Sequence, residues 1–333
     1  MQYRIVATLG PASRSESVWR ALLNGGADAF RLNTSHLSLE KLEQWLLELE
    51  PLLAEPGGPY LVLDLQGSKW RLGAYPPTAV AAGETLSLVA AESTNMPATI
   101  PVPHPDFFRA AAESPGVILL NDAKTRLQIV NSAVERLEAV VERGGELSGR
   151  KGVALPGTRF RSEGLRAKDQ AVLELGAQVA AQCGGVEAPV RYAVSYLRDG
   201  AEAATYRAVC GREAHFIAKI ERQEALGDLD AIEEAADELW LCRGDLGAEL
   251  GFAELGRAAA RFARSLPRRR PSFLAGQVLE HMTATPTPTR AEICGLHDAL
   301  AGGYHGVVLS DETAIGSHPL EACTTAALFR DRR

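Results

Sequence analysis

The chain has 333 residues, 46% of them apolar and 23% charged, with a formal net charge of −7. This is the composition of a water-soluble globular protein with room for a substantial core; its acidic balance argues against general nucleic-acid binding, and no apolar run approaches the roughly 20 residues of a membrane span. The N-terminal MQYRIVATLGPAS lacks a secretory pattern, and five scattered cysteines without a CxxC pair or a His/Cys cluster point to a reduced, cytoplasmic setting with no disulfide framework and no zinc.

In chain order, Arg4–Leu9 reads as a strand and Ser15–Asn24 as a helix stopped by Gly25-Gly26. Strand Ala29–Asn33, a leucine-striped helix over Leu37–Leu52 and strand Leu61–Leu65 follow. The alternation then breaks. Between about Gly73 and Arg150 lie Pro76-Pro77, short β-type runs at Thr85–Val89, Val117–Leu120, Thr125–Val130 and Arg136–Val141, and a Gly144-Gly145 turn. Strands resume at Tyr192–Leu197, His215–Ile220, Leu239–Arg243, Ser272–Gly276 and Gly306–Ser310, with helical patterns at Arg222–Ala236 and Ala253–Ser265. Nearly all-apolar strands separated by helices predict an α/β fold, a closed (β/α)8 TIM barrel built from 1–72 and 152–333. A small β-rich domain at 73–151 is inserted after the third strand. An open doubly wound sheet is the competing architecture, but no G-x-G-x-x-G follows the first strand.

Such barrels carry their sites at the C-terminal strand ends. Here those ends bring Arg31 to His36, Asp64, Ser195 to Arg198, Lys219 and Glu221, Arg243 to Asp245, and Ser310 to Thr313. Glu221 and Asp245, carboxylates from neighbouring strands, suit a hard divalent ion. Gly244 and Gly247 let backbone amides approach an anion beside Asp245. Lys219 falls on the same strand face as Glu221, where a metal's charge would lower its pKa. Arg31 suits a phosphoryl or carboxylate oxygen. Asn33, Ser35 and Asp64 offer hard oxygens, either to a monovalent cation or to a plain hydrogen-bond network. The basic residues are lopsided: six lysines against 29 arginines. Mutational bias accounts for most of that. The six lysines that remain are worth inspecting, because a lysine, unlike an arginine, can shift its pKa and give up a proton, although survival alone, as at Lys41, Lys69 and Lys124, proves nothing.

At these residues the sequence resembles the pyruvate kinase family. The likeness runs through RIVATLGPASRS (Arg4–Ser15), RLNTSH (Arg31–His36), LVLDLQGSKWRLG (Leu61–Gly73), KGVALPG (Lys151–Gly157), AKD (Ala167–Asp169), IAKIERQEAL (Ile217–Leu226), RGDLGAEL (Arg243–Leu250), PTRAE (Pro288–Glu292) and LSDETAIGSHPLEA (Leu309–Ala322). The resemblance implies a mobile lid after the third barrel strand. It implies that Glu221 and Asp245 hold Mg2+ (or Mn2+) and that Asn33, Ser35 and Asp64 hold K+. Lys219 and Arg31 would be catalytic, facing the transferring phosphoryl group. Ser195, Gly244, Asp245 and Gly276 would line the substrate, and Pro11, His36, Arg71 and Lys151 the nucleotide. The implied reaction is phosphoryl transfer between ADP/ATP and phosphoenolpyruvate/pyruvate or a larger 2-oxo acid, through a metal-bound enolate.

There are departures. Gly276 replaces the Thr that precedes Gln277 in the family, which opens space beside the substrate. Leu65-Gln66-Gly67-Ser68 replaces Thr-Lys-Gly-Pro, Cys294-Gly295 replaces Ser-Asp, Asp311 replaces Gly and Ile315 replaces Lys. The expected lid is short. The chain stops near Arg333, where the family continues into a C-terminal domain with allosteric and tetramer contacts; sugar-phosphate regulation is therefore not expected, and a dimer is favoured over a tetramer. The alternatives are a Mg2+-dependent lyase or aldolase acting through a 2-oxo-acid enolate, and a non-catalytic metabolite-binding protein. Neither nucleic acid nor membrane is an expected partner.

Overall fold

A computed structural model describes residues 1–113, 116–121, 123–156 and 165–331. The chain separates into two compact units: Met1–Gly67 with Leu165–Arg243 and Leu255–Arg333, and Ser68–Gly164 with Gly244–Glu254.

The first unit is a closed barrel of eight parallel strands: β1 (Arg4–Thr8), β2 (Ala29–Asn33), β3 (Tyr60–Leu65), β4 (Val190–Val194), β5 (His215–Ile220), β6 (Glu238–Cys242), β7 (Ser272–Ala275) and β8 (Gly306–Leu309). Each strand pairs with its chain neighbours, and β8 closes on β1 through Arg4↔Gly306 to Ala7↔Leu309. Side chains alternate along a strand, so one set faces the barrel interior. Val6, Ala29, Val62, Ala193, Ile217, Trp240, Phe273 and Val308 form one buried cluster there. Two residues further along, the same alternation presents Thr8, Arg31, Asp64, Ser195, Lys219, Cys242, Ala275 and Ser310. An apolar plug thus supports a polar layer, and the strand period alone sets that order.

The outer helices follow local signals. Helix Leu39–Leu53 is capped by Ser38, whose side chain accepts from the Lys41 amide at 3.3 Å. It buries Leu42, Trp45, Leu46, Leu49, Leu52 and Leu53, a stripe in which each large side chain contributes roughly 1.5–3 kcal/mol. The expected start at Leu37 is corrected: Leu37 is extended, and Ser38 sets the boundary. The continuous helix expected over Arg222–Ala236 divides at Asp228 into Gln223–Gly227 and Leu229–Ala235, and the Asp228 carboxylate accepts from the Gly200 amide at 2.8 Å. Strand β4 ends three residues earlier than expected because Tyr196 adopts φ +64°, outside the extended region. Arg243 starts helix Arg243–Leu250 rather than ending a strand.

The second unit is built on a six-stranded, mostly antiparallel sheet in the order Val153–Ala154, Val117–Leu120, Thr125–Ser132, Arg136–Arg143, Thr85–Val89, Thr99–Pro101. A two-stranded ladder joins Thr78–Val80 to Gly145–Leu147. Helix Pro105–Glu113, which the β-type runs did not suggest, buries Phe107 and Phe108 in its core. Edge-on contacts join Trp70 to Phe107 and Phe107 to Phe108. Gly157, the last residue of KGVALPG, lies outside the described residues. Among the described residues no helix is long and apolar enough to cross a membrane.

Candidate active site

The polar layer of the barrel is one connected network. Asp64, 1% exposed, follows from the near-continuous apolar strand β3 and lies opposite Asn33 on β2. Arg31 grips it with Nε at 2.7 Å and Nη2 at 2.5 Å, while Arg31 Nη1 donates to Thr8 Oγ1 at 2.9 Å. Lys219 Nζ lies 3.0 and 3.2 Å from the two Asp64 oxygens, 2.9 Å from Ser195 Oγ and 3.0 Å from Glu221 Oε1. The three N–H bonds of the ammonium are thereby engaged. Ser195 Oγ donates to Asp64 Oδ1 at 3.0 Å. Glu221 Oε2 accepts the Tyr196 amide at 2.7 Å, and it is the left-handed turn of Tyr196, immediately after Ser195, that delivers this amide.

Two cations and two carboxylates balance in a buried space. Desolvation works against the ionised Asp64, but Lys219 and Arg31 overcome it and hold its pKa down at about 2. Burial likewise opposes the Lys219 charge, yet Asp64 and Glu221 outweigh it and raise the ammonium pKa. Cys242, in the sequence only one of five scattered cysteines, sits in the same layer; burial pushes its thiol up and keeps it neutral.

Asn33 Oδ1 accepts the Ser35 amide at 3.3 Å, and the buried Ser35 Oγ has no hydrogen-bond partner among the described residues. Thr34 Oγ1 donates to the Asp64 carbonyl at 2.8 Å, which couples this loop to β3. Gly67, two residues beyond the end of β3, has φ +58°, and a Cβ there would lie 2.1 Å from the Ser195 carbonyl oxygen, so only glycine fits. His36 ends the short turn Thr34–His36. Pro11 begins the turn Pro11–Ser13, where Ser13 Oγ accepts the Gly10 amide at 3.0 Å.

Other expected residues have different surroundings. Gly276 takes φ +84°, and Arg243 donates to its carbonyl (3.0 and 2.7 Å) and to that of Gln277 (2.7 Å). Glu312 is fully buried and accepts the amides of Leu279 (3.0 Å) and Ser310 (2.7 Å), so it ties together the loops after β7 and β8. Thr313 Oγ1 donates to the Thr8 carbonyl at 2.9 Å.

Asp245, Gly244, Arg71 and Lys151 belong to the second unit. Asp245 lies in the first turn of Arg243–Leu250 and pairs with Lys69, Nζ to Oδ2 at 2.6 Å. Lys69 is buried, and its survival in the sequence did not by itself reveal this partnership. Gly152 makes room for it: a Cβ there would come within 2.6 Å of Lys69 Cε. Arg71 bridges to Gly152 and donates through Nη1 to the Arg150 carbonyl at 2.9 Å, and the Lys151 carbonyl accepts the Leu72 amide at 2.9 Å. A Cβ on Gly244 would meet nothing within 4 Å among the described residues.

Carboxylate oxygens are the right chemistry for a hard divalent ion. Both carboxylates named for it are engaged by lysines, and among the described residues no three His, Cys, Asp or Glu side chains cluster as a cage. For a monovalent cation, the partnerless Ser35 Oγ beside Asn33 is a fitting pair of neutral oxygens.

Comparison with known proteins agrees with this architecture. A family model described as pyruvate kinase, barrel domain, matches residues 1–323. A pyruvate kinase of Methylorubrum extorquens is 36% identical over 97% of this chain and 66% of its own length. Pyruvate kinase 2 of a Synechocystis species is 32% identical over 99% of this chain and 56% of its own. A pyruvate kinase of Mycobacterium intracellulare is 32% identical over 97% and 68%. The chain spans 65–66% of the length of the first relatives it matches.

Proposed function

This chain belongs to the pyruvate kinase family, and on that premise we propose that it catalyses phosphoryl transfer between a nucleotide and the enol phosphate of a 2-oxo acid, phosphoenolpyruvate or a larger homologue. The supporting observation is the Arg31–Asp64–Lys219–Ser195 network at the strand ends. Phosphoryl transfer asks little covalent chemistry of a protein; it asks for fixed cations where charge develops. Arg31 uses three N–H bonds on Asp64 and Thr8 and keeps two for an incoming oxyanion. Lys219, held charged, reaches a phosphoryl or enolate oxygen by giving up one of its carboxylate contacts. Asp64 then keeps both cations aligned as their internal counter-ion, and Ser195 fixes the ammonium's approach.

A bound divalent ion would neutralise phosphoryl and enolate oxygens. Glu221 is the barrel's proposed carboxylate for Mg2+. In the second unit Asp245 is the other carboxylate proposed for Mg2+, and it can hold an ion only if it releases Lys69. Asn33 and Ser35, with Asp64 as nearby negative charge, are the proposed K+ ligands. Pro11 and His36 on the barrel, and Arg71 and Lys151 in the second unit, are the proposed nucleotide contacts. The five unpaired cysteines accord with a cytoplasmic setting.

A second reading, a divalent-ion-dependent lyase or aldolase, is favoured by one observation. Where the family carries a Thr, Gly276 supplies no hydroxyl and holds a backbone conformation foreign to β-branched residues. One experiment separates the two: the protein with Mg2+, K+, ADP and phosphoenolpyruvate, assayed for ATP, in parallel with deuterium exchange into the methyl group of pyruvate. ATP formation supports the kinase. Exchange without ATP supports the lyase, and neither activity with ligand still bound leaves a metabolite-binding protein.

A further inference from the structure

Helix Ala167–Gln182 opens with two adjacent side chains that tie down two separate loops of the barrel unit. Lys168 Nζ donates to the carbonyls of Thr34 and Leu37, each at 2.7 Å. Asp169, 1% exposed, accepts the Gln66 amide on Oδ1 at 3.1 Å and the Gly67 amide on Oδ2 at 3.0 Å. The first loop carries Asn33, Ser35 and His36; the second leaves β3 after Leu65, one residue past Asp64. All four bonds are charge-assisted, the strong class of hydrogen bond. A compact ammonium meets both carbonyls from the single atom Nζ, whereas a guanidinium would have to present the nitrogens of a longer planar fork in the same space.

We infer that Lys168 and Asp169 are positioning residues for the active site: the dipeptide fixes the Asn33–His36 loop and the Asp64–Gly67 loop against one helix, and so against each other. Neither side chain touches a reacting atom. Both act through backbone groups of Thr34, Leu37, Gln66 and Gly67, which flank the proposed site residues Asn33, Ser35, His36 and Asp64 in the chain. The activity consequence rests on the phosphotransferase reading; the loop consequence does not.

The test combines hydrogen exchange with steady-state kinetics on the intact chain. In Asp169→Asn, one of the two acceptor oxygens is lost, and exchange at the Gln66 or Gly67 amide should quicken at least tenfold. In Lys168→Met, exchange across 34–37 should quicken similarly, while the core strands keep their protection. KM for ADP should rise about tenfold with kcat changed far less, and Lys168→Arg should not restore it. Uniformly faster exchange in every element, or loop protection equal to the parent's, would overturn the inference, as would full rescue by Lys168→Arg. If the parent makes no ATP, the function reading fails and the exchange arm still decides the staple.

Discussion

Asp64 shows how single residues carry this fold's chemistry. It is buried with Arg31 and Lys219, and either cation would be costly without it. Asp64→Asn should cost about 3–5 kcal/mol in denaturant unfolding, because it strands buried charge. The pH dependence has a definite sign. The folded carboxyl titrates at about 2, below its ordinary 3.8. Its stabilisation is therefore present above the unfolded pKa and is lost as pH falls from about 4 toward about 2. The stability gap between parent and variant should narrow over that window; a gap that widens on acidification would contradict the assignment. In the second unit, Lys69 competes for Asp245. Lys69→Met should tighten Mn2+ binding several-fold in a calorimetric titration, and unchanged binding would detach Asp245 from the metal. The sequence made Arg31, Asp64, Lys219 and Glu221 legible through strand register. It did not reveal Lys69, Thr8 or Asp169, because their partners lie up to 176 residues away in the chain. The lysine shortage was the available signal: Lys69, Lys168 and Lys219 each place an ammonium against fixed oxygens.

Loops after strands, more than the strands themselves, depart from expectation. The apolar runs located all eight strands, since a strand covered on both faces must be apolar throughout. The end of β4 was misjudged because Tyr196 continues the apolar pattern while its backbone turns left-handed. That turn is what supplies Glu221 with an amide. Helix Pro105–Glu113 was hidden among short β-type runs, its periodicity carried by only Phe107, Phe108, Ala110 and Ala111. Two substitutions test the loops. Gly67→Ala would force a Cβ onto the Ser195 carbonyl and should cost about 2–4 kcal/mol; a thermal melt equal to the parent's would show that the loop can yield. Gly276→Thr, which restores the family residue, should destabilise by about 1–3 kcal/mol rather than repair the site, because a β-branched residue is strained at φ +84°. A variant as stable as the parent, with raised ATP formation, would contradict that view.

At the scale of the molecule, a closed parallel barrel brings eight strand ends together, and membership of the pyruvate kinase family supports the proposed reaction class. At the strand ends two cations and two carboxylates neutralise one another in a buried space. On the proposed function, an incoming oxyanion takes over contacts that the carboxylates make in this layer. Family identity was legible in ordered motifs spread over most of the barrel. The effect of Gly276 was not, because it depends on a backbone angle. The most direct test follows phosphoenolpyruvate and ADP by 31P NMR with Mg2+ and K+, in the parent and in Lys219→Met. The parent should yield ATP, with the rate falling by roughly 100-fold or more in the variant. An inactive parent, or a variant that transfers phosphate at the parent's rate, would contradict the central claim.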